Sequence, residues 1–168
     1  MDDKQLQPKL SAFEKIAGFD VLLIGIGILA MEILSIISSK TSMTAQGENS
    51  VTIKLSEFLS HIRYFALAIV ALFAAFLFFK IKHLGWVISF ALLLVSSLLA
   101  GYLAFVSFSI LGITEEFYAS IFLMLVLLVS IIILLTPKTR SKFKVGKRTF
   151  LPTLVFLLAL IAVFFFLQ

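Results

Sequence analysis

Few side chains in this sequence are placed to do chemistry, and the first is Glu32, a carboxylate inside an apolar run at residues 17–38. A carboxylate in hydrocarbon demands a partner. Intramembrane ionisable residues therefore mark either hydrogen bonds between helices or pathways for protons and ions. Two further side chains fall at a similar depth. The apolar stretches at 17–38 and 85–112 run in the same direction, and Tyr102 lies a few residues past the middle of the second, as Glu32 does in the first. Arg63 enters the opposite way, roughly 10 Å above the centre of its stretch, on a side chain long enough to reach down. The sequence predicts an intramembrane polar layer of Glu32, Arg63 and Tyr102, with Ser35 beside it. Asp20, near the edge of the first run, reads as an acid that reaches the headgroups.

The second chemical feature is a basic stretch at residues 137–150. Lys138, Arg140, Lys142, Lys144, Lys147 and Arg148 are interleaved there with Phe143 and Phe150. Charge of this kind fixes orientation and docks anionic lipid, each residue contributing about 1 kcal/mol near the surface. An acidic partner would be held by the same charges. RNA would need them too, but a loop this short gives no support for a nucleic-acid partner.

Other chemistries lack their residues. The chain has no cysteine, which removes disulfides, thiolate metal sites and cysteine nucleophiles. His61 and His83 stand at opposite ends of one predicted helix, roughly 33 Å apart, too far to share a metal. No set of His, Asp and Glu has the spacing of a zinc or di-iron site. No phosphate-binding glycine loop, nucleophile elbow or HExxH motif occurs. The expectation is a protein that is not an enzyme and holds no metal or cofactor.

The elements that must position these residues follow from composition. Apolar residues make up 61% of the chain, against roughly 45–50% in soluble proteins, so lipid must replace water as solvent for much of the surface. The predicted fold class is all-α: a polytopic integral membrane bundle of five transmembrane helices, at about 17–38, 60–79, 85–112, 117–136 and 151–167. Residues 1–16 form a polar N-terminal segment and helix start, with Ser11 and Glu14 in capping-box spacing, and residues 17–168 form the membrane domain. No cleavable-signal pattern opens the sequence, so the first run reads as a retained span.

Within this frame, Gly18, Gly25, Glu32 and Ser39 recur every seven residues and give the first helix one small and polar face for another helix. Ala68, Ala71 and Ala75 do the same for the second. Ser89, Ser96, Ala100, Ala104 and Ser107 mark the third as the central helix. Residues 84–114 carry no charge and would span roughly 46 Å as helix, so a turn or kink is expected near Gly101 or among Ser107, Ser109 and Gly112. The fourth stretch is aliphatic all round and reads as facing lipid or a partner. Pro137 ends it, and Pro152 suits a first helical turn. Between the first two spans, residues 40–57 are polar, with Val51, Ile53 and Leu55 alternating as in a short strand or surface segment.

The bases at 80–84 and 137–150 must share a side in a five-span chain, and Lys4, Lys9 and Lys15 fall there too. By the positive-inside rule the N-terminus is cytoplasmic and the C-terminus external. The functional expectation is an accessory or stabilising subunit of a larger membrane complex, in contact with anionic lipids and with other membrane subunits or copies of itself. A small homo-oligomeric transporter or channel with Glu32 in its pathway is the second reading, and an immunity-type membrane protein the third. Absent cysteines and short loops point to a prokaryotic plasma membrane.

Overall fold

The computed structural model describes residues 9–45 and 55–166, and every regular element among them is helical. The elements are α1 (Ala12–Ala45), α2 (Leu55–Phe79), α3 (His83–Leu111), α4 (Glu115–Leu135), α5 (Pro137–Lys142), a 3-10 turn (Lys147–Thr149) and α6 (Phe150–Phe166). Four segments are long and apolar enough to cross a membrane: Ala12–Ser38, Ser60–Phe79, His83–Leu111 and Glu115–Leu135. α6 is a further apolar helix of 17 residues and is not among these four. The alternating residues Val51 and Ile53 lie outside the described residues. α1 runs to Ala45, past the end expected near residue 38.

α1 starts where its cap predicts. The Glu14 N–H donates to Ser11 Oγ at 3.3 Å and the Ser11 N–H donates to the Glu14 carboxylate at 2.5 Å, satisfying two of the helix's free donors. Its buried face is Glu14, Ala17, Gly18, Val21, Gly25 and Glu32, so Gly18, Gly25 and Glu32 of the seven-residue pattern do mark the face turned inward; the side chain of Ser39 lies outside the described residues. At Gly25 an added Cβ would stand 3.0 Å from Leu72 of α2, so the small residue sets how closely the two helices approach.

α2 and α3 form a tight antiparallel hairpin. The end of α2 is a Schellman motif, with the Lys82 N–H on the Leu77 carbonyl and the Ile81 N–H on the Phe78 carbonyl. Ile81 takes the left-handed position at φ 53°, which glycine usually occupies. The glycine sits four residues on, where the backbones meet: a Cβ on Gly85 would lie 2.4 Å from the Phe78 nitrogen.

α3 is central, packing against α1, α2, α4 and α6. It continues through Gly101 and ends at Leu111, where Gly112 turns the chain at φ 75°. α4, expected to look outward, has an inner face as well: Leu127, Ser130, Ile131 and Leu134 are buried at helical spacing, while Phe122, Leu125, Val129 and Ile132 are exposed. An all-aliphatic run gives no contrast from which to read that division, because lipid and protein interior are equally apolar.

Pro137 ends α4 by removing an N–H donor, and two side chains meet the carbonyls near that end. The Thr136 hydroxyl donates to the Ile133 carbonyl at 2.8 Å, and the buried Trp86 indole N–H donates to the Leu134 carbonyl at 3.0 Å. α5 then closes in a second Schellman motif, Val145 N–H to the Arg140 carbonyl and Lys144 N–H to the Ser141 carbonyl, with Lys144 at φ 55°. Phe143, expected among the headgroups, is instead fully buried and stacked on Phe78 with centroids 4.8 Å apart. The short α5 forces this: Thr139, Lys142 and Phe143 fall on one face of its turn, and that face meets α1 and α2.

Candidate functional site: an ionisable seam along α1

Each of three α1 acids closes on a different element. Glu14 is at the first turn, where Lys142 Nζ of α5 reaches its carboxylate at 2.7 Å and Thr139 Oγ1 donates to it at 3.1 Å. The same ammonium donates to the Lys9 carbonyl at 2.9 Å. Glu14 and Thr139 are buried. The anchoring therefore takes place out of water, where a charge-assisted hydrogen bond is worth most.

Asp20 lies roughly 9 Å further along α1. It was expected to reach the headgroups, but Ser130 of α4 donates its hydroxyl to the carboxylate, and Ser130 is fully buried. The acid turns inward because this serine is the hydroxyl that α4's inner face offers it.

Glu32 is roughly 27 Å from Glu14 along the helix. Its carboxylate pairs with Nδ1 of His61 on α2, and Glu32 itself is buried. Arg63, also buried, donates through Nη2 to Ser60 Oγ at 3.3 Å and lies 4.7 Å from the centroid of the Tyr64 ring. Tyr102 stands apart: it is 63% exposed on α3 and has no hydrogen bond to Glu32 among the described residues. The reason is rotation. Ala100 and Ala104 are buried, and at about 100° per residue Tyr102, two residues from each, points to the opposite side. The structure brings Glu32 to His61, which lies at a depth similar to that of Arg63: His61 is as many residues from the end of α2 as Glu32 is from Glu14, and the rotation of α2 turns the histidine toward the carboxylate.

The basic stretch divides in two. Lys138, Lys144, Lys147 and Arg148 are exposed, whereas Lys142 is committed to Glu14. Arg140 is half-buried, with its guanidinium 5.2 Å from the Phe150 ring centroid. His83 Nε2 and Thr149 Oγ1 are hydrogen-bonded at 3.0 Å. With the Glu14 and Phe78 contacts, this brings the start of α1, the α2/α3 turn and the α4/α6 connection together at one end of the bundle.

Chemically, the seam holds α1 in register against α2, α4 and α5. Among the described residues, Glu32 and His61 bring a carboxylate and an imidazole together between two membrane-length helices. Among the described residues no three His, Asp or Glu side chains converge as a metal site would require. No family model, curated protein or solved structure matches this chain.

Proposed function

We propose that this chain is a non-catalytic five-span protein of a prokaryotic plasma membrane, with its N-terminus cytoplasmic and its C-terminus external, serving as an accessory or stabilising subunit of a larger membrane complex. The observation that carries this reading is the pairing of all three α1 acids with partners inside the chain. Polar groups that serve transport line a water-filled path, whereas groups that serve architecture close on each other. The shared basic end supports the orientation. The outer face of α1, with Phe19, Leu23, Ile26 and Leu34 exposed, supplies an apolar surface for a partner helix or lipid. Purification in mild detergent is expected to bring down other membrane proteins in fixed stoichiometry; a preparation containing this chain alone sinks the proposal.

A second reading rests on the pair of Glu32 and His61. Two proton-exchanging groups in contact are also what a proton-coupled carrier requires. A homogeneous oligomer whose proton flux in liposomes is abolished by Glu32→Gln would favour this reading over the first.

A further inference from the structure

We propose that the groove between α3 and α6 holds one acyl chain of an anionic phospholipid, with Arg140 receiving the lipid's phosphate at the groove's basic end. The inference rests on the membrane reading above and adds to it a particular lipid site. The groove encloses about 280 Å³ and is lined by Phe90, Ala91 and Leu94 of α3 and by Phe150, Thr153 and Leu157 of α6, among others. Thr153 does not make it polar, because its hydroxyl already donates to the Thr149 carbonyl at 2.8 Å. The wall therefore offers carbon, which suits a hydrocarbon chain.

What identifies the headgroup is the end of the groove. Phe150 forms its wall there, edge-on to Trp86 at 6.0 Å, and the Arg140 guanidinium lies over that same Phe150 ring. Arg140 Nε is buried and has no hydrogen-bond partner among the described residues. A buried cationic donor without an acceptor is costly, and a phosphate oxygen is the acceptor that a planar guanidinium matches in two-point geometry. Lys147 and Arg148 sit exposed on the turn just before Phe150. The nearby acids do not compete, since Glu14 is held by Lys142 and Asp20 by Ser130. An apolar slot ending beside an arginine whose Nε lacks an acceptor among the described residues, in a cationic rim, has the chemistry of an anionic phospholipid.

The test uses the full chain in phosphatidylcholine bilayers containing trace spin-labelled phosphatidylglycerol or spin-labelled phosphatidylcholine, and measures the motionally restricted fraction of each. Wild type is expected to retain phosphatidylglycerol with about fivefold preference, the ratio that one well-placed cation gives. Arg140→Gln should bring the ratio close to one. Ala91→Phe should fill the slot and release the restricted pool while leaving Arg140 in place. Lys147→Gln with Arg148→Gln should keep most of the preference. Unchanged preference in Arg140→Gln, loss of preference only in the Lys147/Arg148 variant, or displacement of the label by millimolar inorganic phosphate each overturns the site. Should Arg140→Gln fail to fold, Ala91→Phe decides: a restricted pool equal to wild type rejects the proposal. Flotation with vesicles separates the two levels, because a wild-type chain that does not float rejects the membrane reading itself.

Discussion

Lys142 and Glu14 lie 128 residues apart in sequence and meet at 2.7 Å, joining α5 to the first turn of α1. Both side chains are largely shielded from water, so removing one partner leaves the other charge buried. Lys142→Met is expected to lower stability by about 3 kcal/mol. Glu14→Gln, which still serves the capping box, should cost clearly less. Thermal unfolding in detergent measures both, and a Lys142→Met protein as stable as wild type would show the pair to be incidental.

Gly85 and Gly27 make a matched contrast. A Cβ on Gly85 would stand 2.4 Å from the Phe78 backbone nitrogen, whereas one on Gly27 meets nothing within 4 Å. Gly85→Ala should therefore force the α2/α3 hairpin open, at about 3 kcal/mol. Gly27→Ala should be neutral or stabilising by up to about 1 kcal/mol, through helix propensity alone. Equal melting temperatures for the two variants would contradict the close approach.

Lys144 occupies the left-handed position of the second Schellman motif at φ 55°, a conformation that costs an L-residue roughly 1–2 kcal/mol. Lys144→Gly is expected to raise stability by about 1 kcal/mol, offset in part by the greater freedom of glycine in the unfolded chain. A melting temperature lower than wild type would argue that the lysine side chain makes a contact outweighing the strain.

Glu32 and His61 should be energetically coupled. Glu32→Leu leaves His61 facing hydrocarbon, and Glu32→Gln keeps an acceptor, so the leucine variant should be the less stable. Adding His61→Leu to Glu32→Leu should recover part of the loss, giving a coupling of about 1 kcal/mol, the scale of hydrogen bonds between membrane helices. Strictly additive effects in the cycle would dissolve the pair.

The cysteine-free sequence makes topology directly measurable. Ser141→Cys, on the exposed side of α5, is expected to stay unlabelled by an impermeant thiol reagent applied to intact cells, and Ser50→Cys to be labelled. The reverse pattern would invert the proposed orientation.

Four helices long and apolar enough to cross a membrane were legible because apolar runs, Pro137 and Gly112 are one-dimensional signals: each acts on the residues beside it in sequence. The inward turn of Glu32 was legible too, since Gly18 and Gly25 share its face. Partners were not. His61 and Arg63 are two residues apart, and reach along the membrane normal favoured the longer side chain, whereas the helix rotation selected the histidine. Lys142 was read with its five basic neighbours as one surface set. The separation needs α5, in which Thr139, Lys142 and Phe143 take the inner face and Lys138 the outer; that spacing was present in the sequence, but a six-residue helix is too short to assert from spacing alone. Asp20 shows the same limit, because its inward turn depends on a serine 110 residues away.

The indole of Trp86 docks on the last turn of α4, and it is the one tryptophan of the chain. The junction where α4 breaks at Pro137 is thus also where the molecule's intrinsic fluorescence originates. Loss of that docking would strip the indole of its carbonyl acceptor and of its stacking on Phe90, shifting the emission without any added label. The bundle carries a built-in optical gauge of whether its third and fourth helices are seated.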